Sequence, residues 1–157
     1  MIFSTPESLS GCRRTLNAFS NNRIVITNGC FDLITLGHCK FLKRARALGD
    51  FLIVGINSDA SVKKLKGESR PINHQEARAE VLDSLRCVDG VYIFDDVRCN
   101  KFIDIVKPNI YCKASDYSLE TINYEEKESL DKCGTAIVFL NFIEGYSTTK
   151  IIEKMRT

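Results

Sequence analysis

At 157 residues, 44% of them apolar, the chain is long enough for one domain with one hydrophobic core. A net charge of +2 gives no electrostatic footing for nucleic acid, and charges interrupt every apolar run short of a membrane span. Met1-Ile2-Phe3-Ser4-Thr5-Pro6-Glu7 lacks the basic-then-apolar order of a secretion signal, so a cytoplasmic protein without membrane or nucleic-acid partners is expected.

In chain order, Thr5-Pro6-Glu7-Ser8 reads as a helix start with proline in its first turn. Five apolar runs follow: Ile24-Val25-Ile26-Thr27, Phe51 to Ile56, Val91-Tyr92-Ile93-Phe94, Ile110-Tyr111-Cys112, and Ala136 to Leu140. They are continuous and rich in β-branched residues, as strands buried on both faces of a parallel sheet are. Helical spacing fills the gaps. Phe41, Leu42, Ala45 and Leu48 form one stripe ended by Gly49. Val81, Leu82 and Leu85 form another, with Asn73 as its candidate N-cap. Phe102, Ile103 and Val106 form a third, closed by Pro108. A fourth helix spans about Glu125 to Lys132 and stops at Gly134, and a last one runs from about Thr148 to Met155. One helix followed by five strand–helix units predicts an α/β fold, a doubly wound five-stranded parallel sheet with helices on both faces. A single domain over 1–157 is expected, with 1–22 as a helical extension.

Cys12, Cys30, Cys39, Cys87, Cys99, Cys112 and Cys133 include no C-x-x-C pair, and His38 and His74 lie far apart. Neither a zinc site nor any other protein-held metal is expected, and buried, reduced thiols are the plainer reading. Cys30 and Cys39 flank a glycine turn and are the candidates for reactivity.

Four segments fall just past the ends of strands, where ligands bind in such sheets. Asn28-Gly29-Cys30-Phe31-Asp32 through Gly37-His38 leaves the first strand and enters a helix. It reads either as a plain turn or as a phosphate cradle at a helix N-terminus; the dinucleotide and Walker A glycine patterns are absent. Asn57-Ser58-Asp59-Ala60-Ser61 starts a helix, and Lys63-Lys64-Leu65-Lys66-Gly67-Glu68-Ser69-Arg70-Pro71 follows, either a solvated basic surface or a clamp over polyphosphate. Lys113-Ala114-Ser115-Asp116-Tyr117 is a small-residue loop, open to a ligand or to solvent. Gly145-Tyr146-Ser147-Thr148-Thr149 leads into the last helix, and three hydroxyls exceed what a cap needs.

Together these segments resemble the nucleotidylyltransferase superfamily, whose [H/T]-x-G-H signature is matched by Thr35-Leu36-Gly37-His38 and whose carboxy-terminal element is matched by Ser147-Thr148-Thr149. Within it the chain is similar to D-glycero-β-D-manno-heptose 1-phosphate adenylyltransferases, standalone or as the second domain of bifunctional heptose enzymes. Thr27-Asn28-Gly29-x-Phe31-Asp32, Asn57 to Ser61, Leu65-Lys66-Gly67-x-Ser69-Arg70-Pro71 and Leu140-Asn141-Phe142-x-x-Gly145 carry that likeness. Two departures stand out: Thr35 replaces a usual histidine, and Ala114-Ser115 replaces a glycine pair.

The resemblance implies a Rossmann-like nucleotidyltransferase that moves a nucleoside monophosphate, AMP from ATP, onto a sugar 1-phosphate and releases pyrophosphate, for nucleotide-sugar synthesis. Mg²⁺ would accompany the triphosphate, and a homodimer is expected. His38, Thr35 and Lys66 are the implied catalytic residues. Asn28, Gly29, Cys30, Phe31, Gly37, His38, Asp116, Ser147, Thr148 and Thr149 are implied in nucleotide binding. Asp32, Asn57, Asp59, Arg78, Lys113 and Tyr117 are implied in acceptor binding, with a surface ion pair as the rival role for Arg78. Two rival functions remain open: a CTP-dependent cytidylyltransferase acting on glycerol 3-phosphate or another polyol phosphate, and a catalytically inactive nucleotide-binding module.

Overall fold

The structure, a computed structural model, describes residues 1–19, 21–115, 117–141, 146 and 148–155. In chain order its elements are β1 (Ile2–Phe3), α1 (Pro6–Phe19), β2 (Ile24–Gly29), α2 (Leu36–Arg46), β3 (Phe51–Asn57), α3 (Asp59–Lys66), α4 (Gln75–Asp83), β4 (Gly90–Phe94), α5 (Asn100–Val106), β5 (Ile110–Ala114), α6 (Tyr124–Cys133), β6 (Ala136–Leu140) and α7 (Thr148–Met155). The five expected strands are all present, but the sheet has six among the described residues. Its order is β1-β4-β3-β2-β5-β6 and every pair is parallel.

The extra strand corrects the expected count of five. Two residues are too few to show any periodicity, and Ile2–Phe3 is a strand only because Ile2 and Phe3 align with Val91 and Tyr92 of β4. Gly90 makes the fit possible, since a Cβ there would lie 2.6 Å from Cε2 of Phe3. A second correction concerns α4. Its N-cap is His74, which makes no side-chain capping bond, while Asn73 turns away to donate to the Asp32 carbonyl oxygen at 2.8 Å.

Alternation along the central strands supplies both faces of the sheet with apolar side chains. Val25, Leu52, Val54 and Ile56 pack with Phe41, Leu42 and Ala45 of α2 and with Ala79 and Leu82 of α4. Ile24, Ile26, Ile53 and Tyr111 pack on the other face with Leu9 of α1, Phe102, Ile103 and Val106 of α5, and Leu130 of α6. Two-sided burial is why the strands read as unbroken apolar runs. Gly134 ends α6 at φ +65°, the left-handed C-cap that glycine adopts without strain.

Strand order reverses between β2 and β5, which pair directly with each other. Chains leaving these two strands diverge to opposite faces and open a crevice beyond their carboxyl ends. No helix among the described residues is long and apolar enough to cross a membrane.

Candidate active site

A cleft of about 370 Å³ opens at that crevice, bordered by the ends of β2 and β5, by α3 and the loop after it, and by the first turn of α7. Its floor begins at Asn28 and Gly29. Phe31 then takes a left-handed backbone, φ 46°, a conformation that costs a bulky residue roughly 1–2 kcal/mol. The kink turns the chain sharply, and the Phe31 ring packs 5.5 Å from the His38 ring.

Thr35 and His38 form a capping box on α2. The Thr35 hydroxyl accepts from the His38 backbone N–H, and the Thr35 backbone N–H donates to His38 Nδ1 at 3.1 Å. A nitrogen that accepts a backbone N–H carries no proton, so the network assigns the imidazole proton to Nε2. Burial lowers the His38 pKa below its ordinary 6.5, which favours the neutral ring. His38 lines the cleft and, in this tautomer, is a hydrogen-bond donor. The Thr35 hydroxyl lies within 3.1 Å of the Tyr146 carbonyl oxygen, to which it donates, and Thr148 Oγ1 donates to the Leu33 carbonyl at 3.0 Å. These two bonds join the start of α2 to the start of α7. Thr35 is 6% exposed and absent from the cleft lining, so the structure places it behind His38. Gly37, also buried, sits in the same first turn.

From β5, Lys113 reaches the floor. Its ammonium lies 3.1 Å from Asn28 Oδ1 and 4.8 Å from the centre of the Tyr117 ring. Tyr111 donates to the same Asn28 oxygen at 2.7 Å, and burial holds that phenol's pKa well above its ordinary value. A lysine gripped by a carbonyl oxygen and an aromatic face is a fixed cation, unlike Lys66, which ends α3 and lines the cleft from an exposed position.

A brace of charged side chains runs from the cleft wall, at Asp32 and Arg70, to Asp59 and Arg78 behind it. Asp32 accepts from Arg70 Nε at 2.6 Å and from the backbone N–H groups of Ile72 and Asn73 at 2.9 Å. Burial would raise this carboxyl, but the Asn73 and Ile72 N–H groups and the Arg70 guanidinium outweigh it and hold its pKa below the ordinary value. Arg78 is 1% exposed, which corrects the surface-pair reading. It donates to the carbonyls of Asn73 at 3.0 Å, of Cys30, and of Asn57 at 2.8 Å, and pairs with Asp59 Oδ1 at 2.8 Å. One guanidinium thus fixes the loops leaving β2 and β3 and the start of α4 relative to one another.

Of the residues expected to bind an acceptor, Asp32, Asn57, Lys113 and Tyr117 line the cleft, while Asp59 and Arg78 belong to the brace. Asn28, Gly29, Cys30, Phe31 and Thr148 also line it. Asp116, Ser147, Phe142 and Gly145 lie outside the described residues, and of Thr149 only its place in α7 is described. All seven cysteines are free thiols. Cys30 is pushed up chiefly by burial, which outweighs Lys66, Arg78 and Arg70, so it is a neutral thiol rather than an activated thiolate. Arg98, Asn123 and Glu126 also line the cleft, and sequence reasoning missed them. They sit in no motif, and Glu126 is lost within the charged run Glu125-Glu126-Lys127-Glu128.

Residues 26–154 match the cytidylyltransferase-like family, and the chain belongs to it, with the nucleotidyltransferase fold. The chain is 46% identical over 135 residues to the bifunctional protein HldE of Geotalea uraniireducens, a match that covers 86% of this chain and 27% of that protein. HldE of Helicobacter pylori is 44% identical over 157 residues, covering 99% of this chain and 32% of that protein. The chain therefore spans about a third or less of the length of these relatives. Among solved structures, the lipopolysaccharide core biosynthesis protein from Thermoplasma volcanium shares the fold at a TM-score of 0.63 and 24% identity, over 78% of this chain and 98% of that one. A pantoate–beta-alanine ligase from Francisella tularensis shares it at a TM-score of 0.66 and 15% identity, over 98% and 72%.

Proposed function

We propose that the protein transfers AMP from ATP to a sugar 1-phosphate and releases pyrophosphate for surface-glycan synthesis, with D-glycero-β-D-manno-heptose 1-phosphate as the acceptor, a reading supported by the motif resemblance and by the similarity to HldE proteins. The observation that carries this reading is the neutral His38 donor beside Lys113, Lys66 and Thr148 at the switch point of a parallel sheet. An oxygen of the acceptor phosphate attacks the α-phosphorus of ATP, and the bond from that phosphorus to the bridging oxygen of pyrophosphate breaks. The acceptor phosphate is largely ionised near neutral pH, its second pKa being about 6, so no general base is needed. What the reaction needs is in-line placement and neutralised charge.

In this reading His38 Nε2–H donates to the triphosphate oxygens that gain charge, and Thr35 orients the ring rather than touching substrate. Lys113 faces the meeting point of the two phosphates. Lys66 approaches from outside, and Thr148, with Ser147 and Thr149, receives the β- and γ-phosphates at the start of α7. Asp116 would lie beside the nucleotide. Among the described residues no group of three or more His, Cys, Asp or Glu is placed to hold a metal ion. A Mg²⁺ accompanying the triphosphate would supply further charge neutralisation there. A homodimer remains part of the proposal.

The cytidylyltransferase-like match keeps CTP and a polyol phosphate as the second reading. A panel of ATP and CTP against heptose 1-phosphate and glycerol 3-phosphate, scored by pyrophosphate release, tests both. Release with ATP and the sugar phosphate is the expected result. Release only with CTP and glycerol 3-phosphate would replace the reading, and nucleotide binding with no release from any pair would make the protein an inactive binding module.

A further inference from the structure

The cleft has a second wall that the phosphate-facing residues leave unused. The segment between β4 and α5 brings Arg98 to it, and the entry to α6 brings Asn123 and Glu126. Glu126 is only 6% exposed, and its Oε1 accepts the Cys99 backbone N–H at 3.3 Å. Asn123 is fixed as the N-cap of α6, its side-chain oxygen accepting from the Glu125 N–H.

A largely buried carboxylate is a poor neighbour for a polyphosphate, because the like charges repel where water cannot screen them. It is a good neighbour for hydroxyl groups, since an ionised carboxylate only accepts and offers about four lone-pair sites. The Cys99 N–H takes one and the Cys99 thiol another, which leaves the rest for a ligand. Asp32, the other carboxylate on the cleft among the described residues, differs: Arg70, Ile72 and Asn73 occupy both of its oxygens. Across the floor, a smaller lobe of about 220 Å³ is lined by Phe31, Phe41, Ala114 and Tyr117 together with the polar Asn28, His38 and Lys113, and its flat and apolar surfaces suit a nucleobase. The cleft is thus chemically divided, with aromatic and apolar surfaces beside the His38 donor on the α2 side and a hydroxyl-accepting carboxylate on the α6 side.

Resting on the nucleotidyl-transfer reading, we propose that Glu126, Asn123 and Arg98 form the acceptor subsite, in which the Glu126 carboxylate accepts hydrogen bonds from the hydroxyls of a sugar phosphate while Lys113 faces its phosphate. Arg98 closes the outer side and donates to the sugar's oxygens. The subsite selects a polyhydroxylated acceptor over a small phosphate.

Steady-state kinetics with the full chain, ATP and heptose 1-phosphate, scored by pyrophosphate release, tests this. Glu126→Gln should raise KM for the sugar phosphate by about tenfold or more, as loss of hydrogen bonds to a charged group does, and leave KM for ATP within about twofold. Arg98→Ala, at an exposed position where folding is not at stake, should raise the same KM several-fold and decides the matter if Glu126→Gln does not fold. An unchanged acceptor KM in Arg98→Ala and in any folded Glu126→Gln protein, or equal rises in both KM values, overturns the subsite while wild-type turnover leaves the reaction standing. Absence of pyrophosphate release from the wild type with every nucleotide and acceptor pair fails the underlying reading, and the subsite with it.

Discussion

Two kinds of basic side chain serve the same cleft, one behind its wall and one on it, and they are built in opposite ways. Arg78 is buried, with three backbone carbonyls and the Asp59 carboxylate as partners. Lys66 and Arg98 are exposed and line the open space. A planar fork with five donors can satisfy several fixed acceptors at once and so survives burial, whereas an ammonium on a flexible stem is better used as a mobile point charge. The difference teaches that charge beside a site is of two kinds: charge that shapes the loops and charge left over for a ligand. His38 and Lys113 fall between, held by protein partners on one side and facing the cleft on the other.

The sharpest way to break this division is to remove the buried member. Arg78→Met should strand three carbonyls and the Asp59 carboxylate and cost about 3–5 kcal/mol. With a midpoint shift of about 2–4 °C per kcal/mol in a domain of this size, calorimetry should register a fall of roughly 10 °C. A variant as stable as wild type would dissolve the brace. His38→Ala comes next. It should lower kcat by about a hundred- to a thousandfold, because the donor acts on charge that develops in the reaction, while circular dichroism stays near wild type and the melting midpoint falls only by the few degrees that a lost capping bond of about 1 kcal/mol costs. Full pyrophosphate release from that variant would remove His38 from the chemistry.

Lys66→Ala should be milder: KM for ATP about tenfold higher at low salt, converging on wild type as salt screens the exposed charge. A salt-independent rate equal to wild type would return Lys66 to the surface. The smallest effect is on acid stability. Asp32 and His38 both have folded pKa values below their ordinary 3.8 and 6.5. In each case the unfolded chain takes up the proton first, so their contribution is complete above the ordinary value and is lost as pH falls through the folded one. Melting midpoints should therefore decline below about pH 6.5 and decline again below about pH 4. Asp32→Asn should make the second decline shallower, with Asp59 still contributing to it, and leave the first, and an unaltered acid limb in that variant would show that the Arg70 latch adds nothing.

Much of the fold was legible. Ile24-Val25-Ile26 and Phe51 to Ile56 announce two-sided burial by being unbroken, and Gly134 announces a helix end. Ile2–Phe3 was not, because pairing with Val91 and Tyr92 is its whole signal and those residues are far away in sequence. The site was legible where a short motif carries its own geometry. Thr35 and His38 are three residues apart, and a capping box needs nothing else. It was illegible where spacing is long: Asp32 with Arg70, Arg78 with Cys30, and Glu126 with Cys99 join different elements. Thr35 shows the limit, since its position was plain while its hydroxyl turns to Tyr146 rather than to the cleft.

The sequence by itself determined the alternation of strands and helices, the polar loops past the strand ends and the family to which those loops belong, because periodicity, turn residues and short motifs are local properties. Only the tertiary structure decided which of the charged residues became scaffold and which faced a ligand. That assignment depends on burial and on partners from distant elements, and a buried arginine and an exposed one are written with the same letter.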